Sequence, residues 1–232
     1  MKQKPLPPAM QPYLDGKLLL IDKPYEWTSF DAVKKIRIVT GISKVGHAGT
    51  LDPLATGLLI ICTGRFTKKI SDYMKMQKEY TGSMIIGAVT PTFDLESEPV
   101  NFKNISNLTP EKIYSTVKNF VGEIEQVPPM HSAIKKDGKP LYLMARKGKE
   151  IKLEPRKIEI SSFEITAINL PEINFKVVCS TGTYIRSLVN DYGETLQTGA
   201  YLSSLRRTRI GNFLVDDAVT PQQFEEEIYK LM

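Results

Sequence analysis

Between Gly46 and Gly57 the chain reads Gly46-His47-Ala48-Gly49-Thr50-Leu51-Asp52-Pro53-Leu54-Ala55-Thr56-Gly57, and Asp52 is the one carboxylate in that run. An ionised aspartate can attack an electrophilic carbon or stabilise a developing cation, provided its backbone is held in place. Glycine enters turns that Ala or Leu resists, and Pro53 biases Asp52 toward an extended conformation, so this segment reads as a loop carrying an acid. Residues 57–62 then form an apolar run that reads as a short strand ending at Thr63-Gly64, which anchors the loop to the core on one side. Local chemistry alone leaves a second reading open, in which an Asp before Pro is a turn former bonded to its own backbone.

The unbroken twelve-residue string resembles the catalytic motif of the TruB family of tRNA pseudouridine synthases. Four further segments resemble family motifs in the right order. Asp22-Lys23-Pro24-Tyr25-Glu26-Trp27-Thr28-Ser29 is similar to the N-terminal Lys-Pro motif, with Glu26 standing where the family usually has glycine. Lys78-Glu79-Tyr80 resembles the segment with the active-site tyrosine, and Cys179-Ser180-Thr181-Gly182-Thr183-Tyr184-Ile185-Arg186-Ser187-Leu188 the motif with the active-site arginine. Leu205-Arg206-Arg207-Thr208 resembles the last motif, and Ser132-Ala133-Ile134-Lys135 falls in the family's RNA-binding insertion.

The resemblance implies isomerisation of the uridine at position 55 in the T loop of tRNA, by base flipping and with no cofactor. It makes Asp52 the catalytic carboxylate and Arg186 the cation that orients it and keeps it ionised. Tyr80 would stack on the target base, Leu205 would line the pocket, and His47 would pack against the flipped-out nucleotides. Lys23, Lys135, Lys136, Arg146 and Lys147 are expected to meet RNA. By residue type alone each has a plainer alternative: a surface arginine on a helix, a buried aromatic, a core leucine, a loop histidine bonded to backbone. Two rivals share much of this pattern, a non-catalytic RNA-binding module and a synthase acting on another RNA. A hydrolase built on Asp52 would lack the second acid and the metal ligands such chemistry uses.

Composition agrees with a globular chain: 232 residues, 41% apolar, with no apolar run approaching a membrane span. Cys62 and Cys179 lie in apolar runs and read as reduced core residues, and His47 and His131 form no metal-ligand cluster. A cytoplasmic protein is the expectation, monomeric, with no obligate protein partner. The net charge of +5 is concentrated: residues 131–157 hold nine Lys or Arg against three acids. A solvated face explains many charge runs. One-signed clustering beside Tyr142 and Met144 instead favours nucleic acid, and under the resemblance the T arm of tRNA is the partner.

Periodicity predicts strands over 17–22, 79–89, 157–168, 173–179 and 202–210, and helices over 29–40, 65–75, from Thr109-Pro110 to a stop at Gly122, 139–147, 183–196 and from Thr220-Pro221. Strands with hairpin-like neighbours mixed with helices argue for an α+β fold around a mostly antiparallel sheet. The resemblance implies the pseudouridine synthase core, a mixed sheet with flanking helices. The expected organisation is a mobile tail over 1–16, a catalytic domain over 17–232, and a basic RNA-binding insertion over 128–155. Many family members append a PUA domain, and this chain reads as a short form without one.

Overall fold

The computed structural model describes residues 7–130, 132, 135–136, 139–140 and 153–231. In chain order the first elements are α1 (Gln11–Asp15), β1 (Leu18–Lys23), α2 (Ser29–Thr40), β2 (Val45–Ala48), β3 (Ala55–Thr63), α3 (Ile70–Lys75) and β4 (Lys78–Ile86). There follow α4 (Pro110–Thr116), β5 (Gly122–Gln126), β6 (Lys135–Lys136), β7 (Lys139–Pro140), β8 (Arg156–Asn169) and β9 (Glu172–Cys179). The last are α5 (Ile185–Thr195), β10 (Ala200–Ile210), β11 (Phe213–Leu214) and α6 (Pro221–Leu231). The chain divides into two compact units, Met1–Tyr80 with Arg206–Met232, and Thr81–Leu205. β4 and β10 have residues in both.

In the first unit β3 is the central strand. β1 pairs antiparallel with it from Leu18↔Cys62 to Lys23↔Gly57, and β2 from Val45↔Thr63 to Ala48↔Ile60. Because successive side chains alternate, Leu59 and Ile61 meet Ile21, Val33, Ile36, Phe224 and Ile228, while Leu58, Ile60 and Cys62 meet Ile210 and Val215. A strand covered on both faces must be apolar throughout, which explains the continuous run in the sequence. α2 begins in a reciprocal capping box between Thr28 and Asp31 and stops at Gly41, whose φ of 69° suits glycine.

In the second unit the strand order runs β10, β4, β9, β8, β5. The ladders β8–β9 and β5–β8 are antiparallel. Phe163 packs edge-on against Phe120, Phe175 and Tyr192 at 5.5–6.4 Å between ring centres. The Tyr192 hydroxyl donates to the Ile113 carbonyl at 2.6 Å, so α5 is fixed to α4 through a satisfied buried phenol. The α+β, mostly antiparallel architecture is the one expected.

Several expectations change. The tail read over 1–16 is structured from Pro8: Met10 and Tyr13, three apart on one face of a turn, are buried in the core, at 1% and 7% exposure. Residues 1–6 lie outside the described residues. The acid-bearing loop is shorter than 46–57, because Val45–Ala48 is strand and β3 starts at Ala55. Residues 64–75 split into a 3-10 turn, Gly64–Lys69, and α3. The helix read from Thr109-Pro110 to a stop at Gly122 ends at Thr116 and passes into a 3-10 turn, Val117–Phe120, while Gly122 opens the edge strand β5, whose alternating Glu123 and Glu125 point to solvent. Lys139 and Pro140 are in strand β7, where the periodicity predicts the start of a helix; 141–147 lie outside the described residues.

Candidate active site

Asp52 is half-buried on the loop between β2 and β3, and buried side chains tie the backbone on either side of it. Ser29, the first residue of α2, accepts the Leu51 N–H at 2.8 Å and donates to the Leu51 carbonyl at 3.1 Å. The Pro53 carbonyl accepts from Lys23 Nζ at 3.2 Å and from the Glu26 N–H at 3.0 Å. Ala55 N–H closes a turn onto the Asp52 carbonyl. Residues far apart in sequence thus converge on one loop, as a rigid reactive group requires.

Lys23, expected to meet RNA, is fully buried instead: its ammonium donates to the carbonyls of Pro24, Trp27 and Pro53. Its place is behind the loop, because a buried ammonium must find acceptors and three carbonyls surround it. Burial pushes its pKa down to about 8, with the Asp52 carboxylate opposing that shift and Arg207 reinforcing it. Glu26, in the same turn, has a φ of 63°, a left-handed conformation that glycine adopts freely. Glycine, which the family resemblance leads one to expect at this place, would take that conformation without strain.

His47 lies on β2 opposite Ile61, not in a loop, and is half-buried. Burial, and secondarily the Arg207 guanidinium, hold its imidazole below the ordinary 6.5 against an opposing backbone contact at Gly49, so it is neutral at pH 7. Tyr80 is the third residue of β4 and is 8% exposed.

In the second unit Arg186 is at the start of α5 and 4% exposed, so the surface-arginine alternative fails. Its Nη1 donates to the Thr92 carbonyl at 3.3 Å, and its Nε lies 3.5 Å from Asp94 Oδ2, a carboxylate as buried as itself. Thr90 and Thr92 hydroxyls donate to the Asp94 carbonyl and the Glu96 N–H donates to Asp94 Oδ1, so the acid is fixed in its loop. Asp94 is the residue that sequence reading missed. It sits in an aperiodic loop among other acids, and no spacing marks it. Leu205, on β10, is half-buried. Lys135 and Lys136 form β6, in register with Pro140 and Lys139 of β7. Arg146 and Lys147 lie outside the described residues.

The mostly antiparallel α+β sheet with flanking helices is the pseudouridine synthase fold. Family models agree and narrow it. The chain belongs to the TruB family: the TruB family pseudouridylate synthase N-terminal model matches residues 37–185, and the tRNA pseudouridylate synthase B C-terminal model matches 186–231. Among curated relatives, tRNA pseudouridine synthase B of Flavobacterium johnsoniae is 53% identical over 93% of this chain and 97% of its own length. The Phocaeicola vulgatus protein of the same name is 46% identical over 92% and 94%. Of solved structures, the chain matched in a Cbf5-Nop10-Gar1 complex superposes with a TM-score of 0.75 at 28% identity, covering 99% of this chain and 60% of that one. This chain therefore spans about three fifths of that solved chain's length.

Proposed function

We propose that this chain converts uridine to pseudouridine at position 55 in the T loop of tRNA, through Asp52 and without a cofactor. The observation that carries the reading is the braced Asp52 loop in a chain 53% identical to a relative named tRNA pseudouridine synthase B. The reaction breaks the bond from uracil N1 to ribose C1′, turns the base, and joins C5 to C1′. The C5 proton leaves and N1 gains one, so no atoms are lost overall. Asp52 acts on the sugar or ring of the everted nucleoside as the one indispensable carboxylate. Arg186 balances its charge, since burial without a cation would favour the protonated acid. Tyr80 stacks on the extruded base and helps remove the C5 proton, and Leu205 lines its pocket. Extrusion costs on the order of a few kcal/mol, and His47, neutral and half-buried, packs against the displaced nucleotides. The basic insertion around Lys135 and Lys136 grips the T arm. The enzyme works as a cytoplasmic monomer.

The test is tritium release from a T-arm stem-loop RNA labelled at uridine C5. Release by the normal protein and its loss in Asp52→Asn, with RNA binding retained, is the expected outcome. Equal release from both, or tight binding without release from either, overturns the reading.

A further inference from the structure

We propose that Arg207 is a positioning residue for the Asp52 loop, its guanidinium tying the start of that loop to the strand that leaves it. The proposal deepens the reading of Asp52 as the catalytic carboxylate and rests on it. Arg207 is 1% exposed and is among the largest wholly buried side chains among the described residues. Its Nε donates to the Leu58 carbonyl at 2.7 Å and its Nη2 to the Gly49 carbonyl at 3.1 Å. Gly49 opens the loop and Leu58 lies in β3 just beyond it, so one planar fork closes the loop's base.

The fork itself is fixed. A Cβ on Gly57, whose φ is 101°, would lie 2.3 Å from the Arg207 carbonyl oxygen and 2.7 Å from its nitrogen, so the two backbones touch there. Arg207 therefore completes a series: its side chain holds residue 49, Ser29 holds 51, and Lys23 with Glu26 holds 53. The ties fall on alternate residues and bracket Asp52. A guanidinium presents donors in two directions from a rigid plane, whereas an ammonium is a point donor on a flexible stem, so lysine cannot serve both carbonyls. Being buried, Arg207 acts on the reaction through the loop rather than by touching RNA. Its charge also reaches His47 and Lys23, lowering the proton affinity of both.

The test compares Arg207→Lys and Arg207→Gln with the normal protein. The readouts are the single-turnover rate at saturating T-arm stem-loop RNA, the Kd for that RNA, and the His47 titration followed by NMR. Arg207→Lys is expected to slow the bound-state step by roughly 10- to 100-fold, the scale of an ångström-level misplacement, with Kd changed less than about threefold. His47 should titrate as before in Arg207→Lys, which keeps the charge, and at higher pH in Arg207→Gln. Normal single-turnover rates in folded variants, with only a lower melting temperature, overturn the proposal. Should neither variant fold, hydrogen exchange of the Arg207 guanidinium in the normal protein decides. Slow exchange of its Nε–H, which donates to the Leu58 carbonyl, supports the clamp, and exchange as fast as that of a solvent-exposed arginine overturns it. If the normal protein itself releases no tritium, the functional reading fails, while the His47 titration and the exchange rates still judge the clamp.

Discussion

Lys23 shows how an ionisable side chain can serve a carboxylate from behind. It is wholly buried among three carbonyls, one of them Pro53, so its cation lies within electrostatic reach of Asp52. Its folded pKa of about 8 is below the ordinary 10.5, which means that the unfolded chain binds this proton more tightly. The unfavourable contribution is full below about pH 8 and fades as pH climbs toward 10.5, so this one group makes stability rise with pH across that window. Lys23→Met should remove that rise. Urea midpoints at pH 7.5 and 9.5 check it, and an unchanged pH slope in the variant would show that Lys23 is not the titrating group. In the sequence Lys23 reads as an RNA contact because a lysine beside a motif gives no sign of which way it points. Arg186 shows the same limit: the motif marks its importance, but its burial against Asp94 comes from a loop without periodicity.

Legibility at the scale of elements follows the strength of local signals. α2 is read residue for residue over 29–40 from its 3.6-residue apolar spacing and its glycine stop, and the Thr28–Asp31 capping box closes its start in the structure. β2 and β5 are missed, because four or five residues with glycine in them carry too little alternation to stand out from loop. The same elements set the geometry of the acid loop. The turn from β1 to α2 bonds the Pro53 carbonyl through Glu26 N–H while holding Glu26 at a φ of 63°. A non-glycine residue there carries strain of about 1 kcal/mol, partly offset in a glycine variant by greater freedom of the unfolded chain. Glu26→Gly should therefore stabilise the fold by roughly 0.5 kcal/mol with the Pro53 bond intact. Thermal or urea unfolding measures this, and a clear loss of stability would mean that the Glu26 side chain makes a compensating contact.

Across the whole molecule, charge is distributed by role. The C-terminal helix α6 carries Glu225-Glu226-Glu227, and Glu225 pairs with Lys35 of α2, so one acid of this run joins the two helices. Residues 131–157 carry the cationic surplus, and their chemistry is legible only as composition: a sign and a density, without a contact map. Lys135 and Lys136 head the short β6–β7 ladder, in register with Pro140 and Lys139. If both meet phosphate, each displaces condensed counterions when RNA binds, and affinity falls with salt in proportion to the number of such contacts. Replacing both with glutamine should then weaken binding at low salt and reduce the slope of log affinity against log salt by roughly 1.4 to 1.8. Because these groups position RNA and do no chemistry, the single-turnover rate at saturating RNA should stay within about twofold of normal. Filter binding of a T-arm stem-loop between low and moderate salt reads the slope directly. A double variant with an unchanged slope would move the phosphate contacts off this ladder, and a reduced slope in only one of the two single variants would assign the contact to that residue.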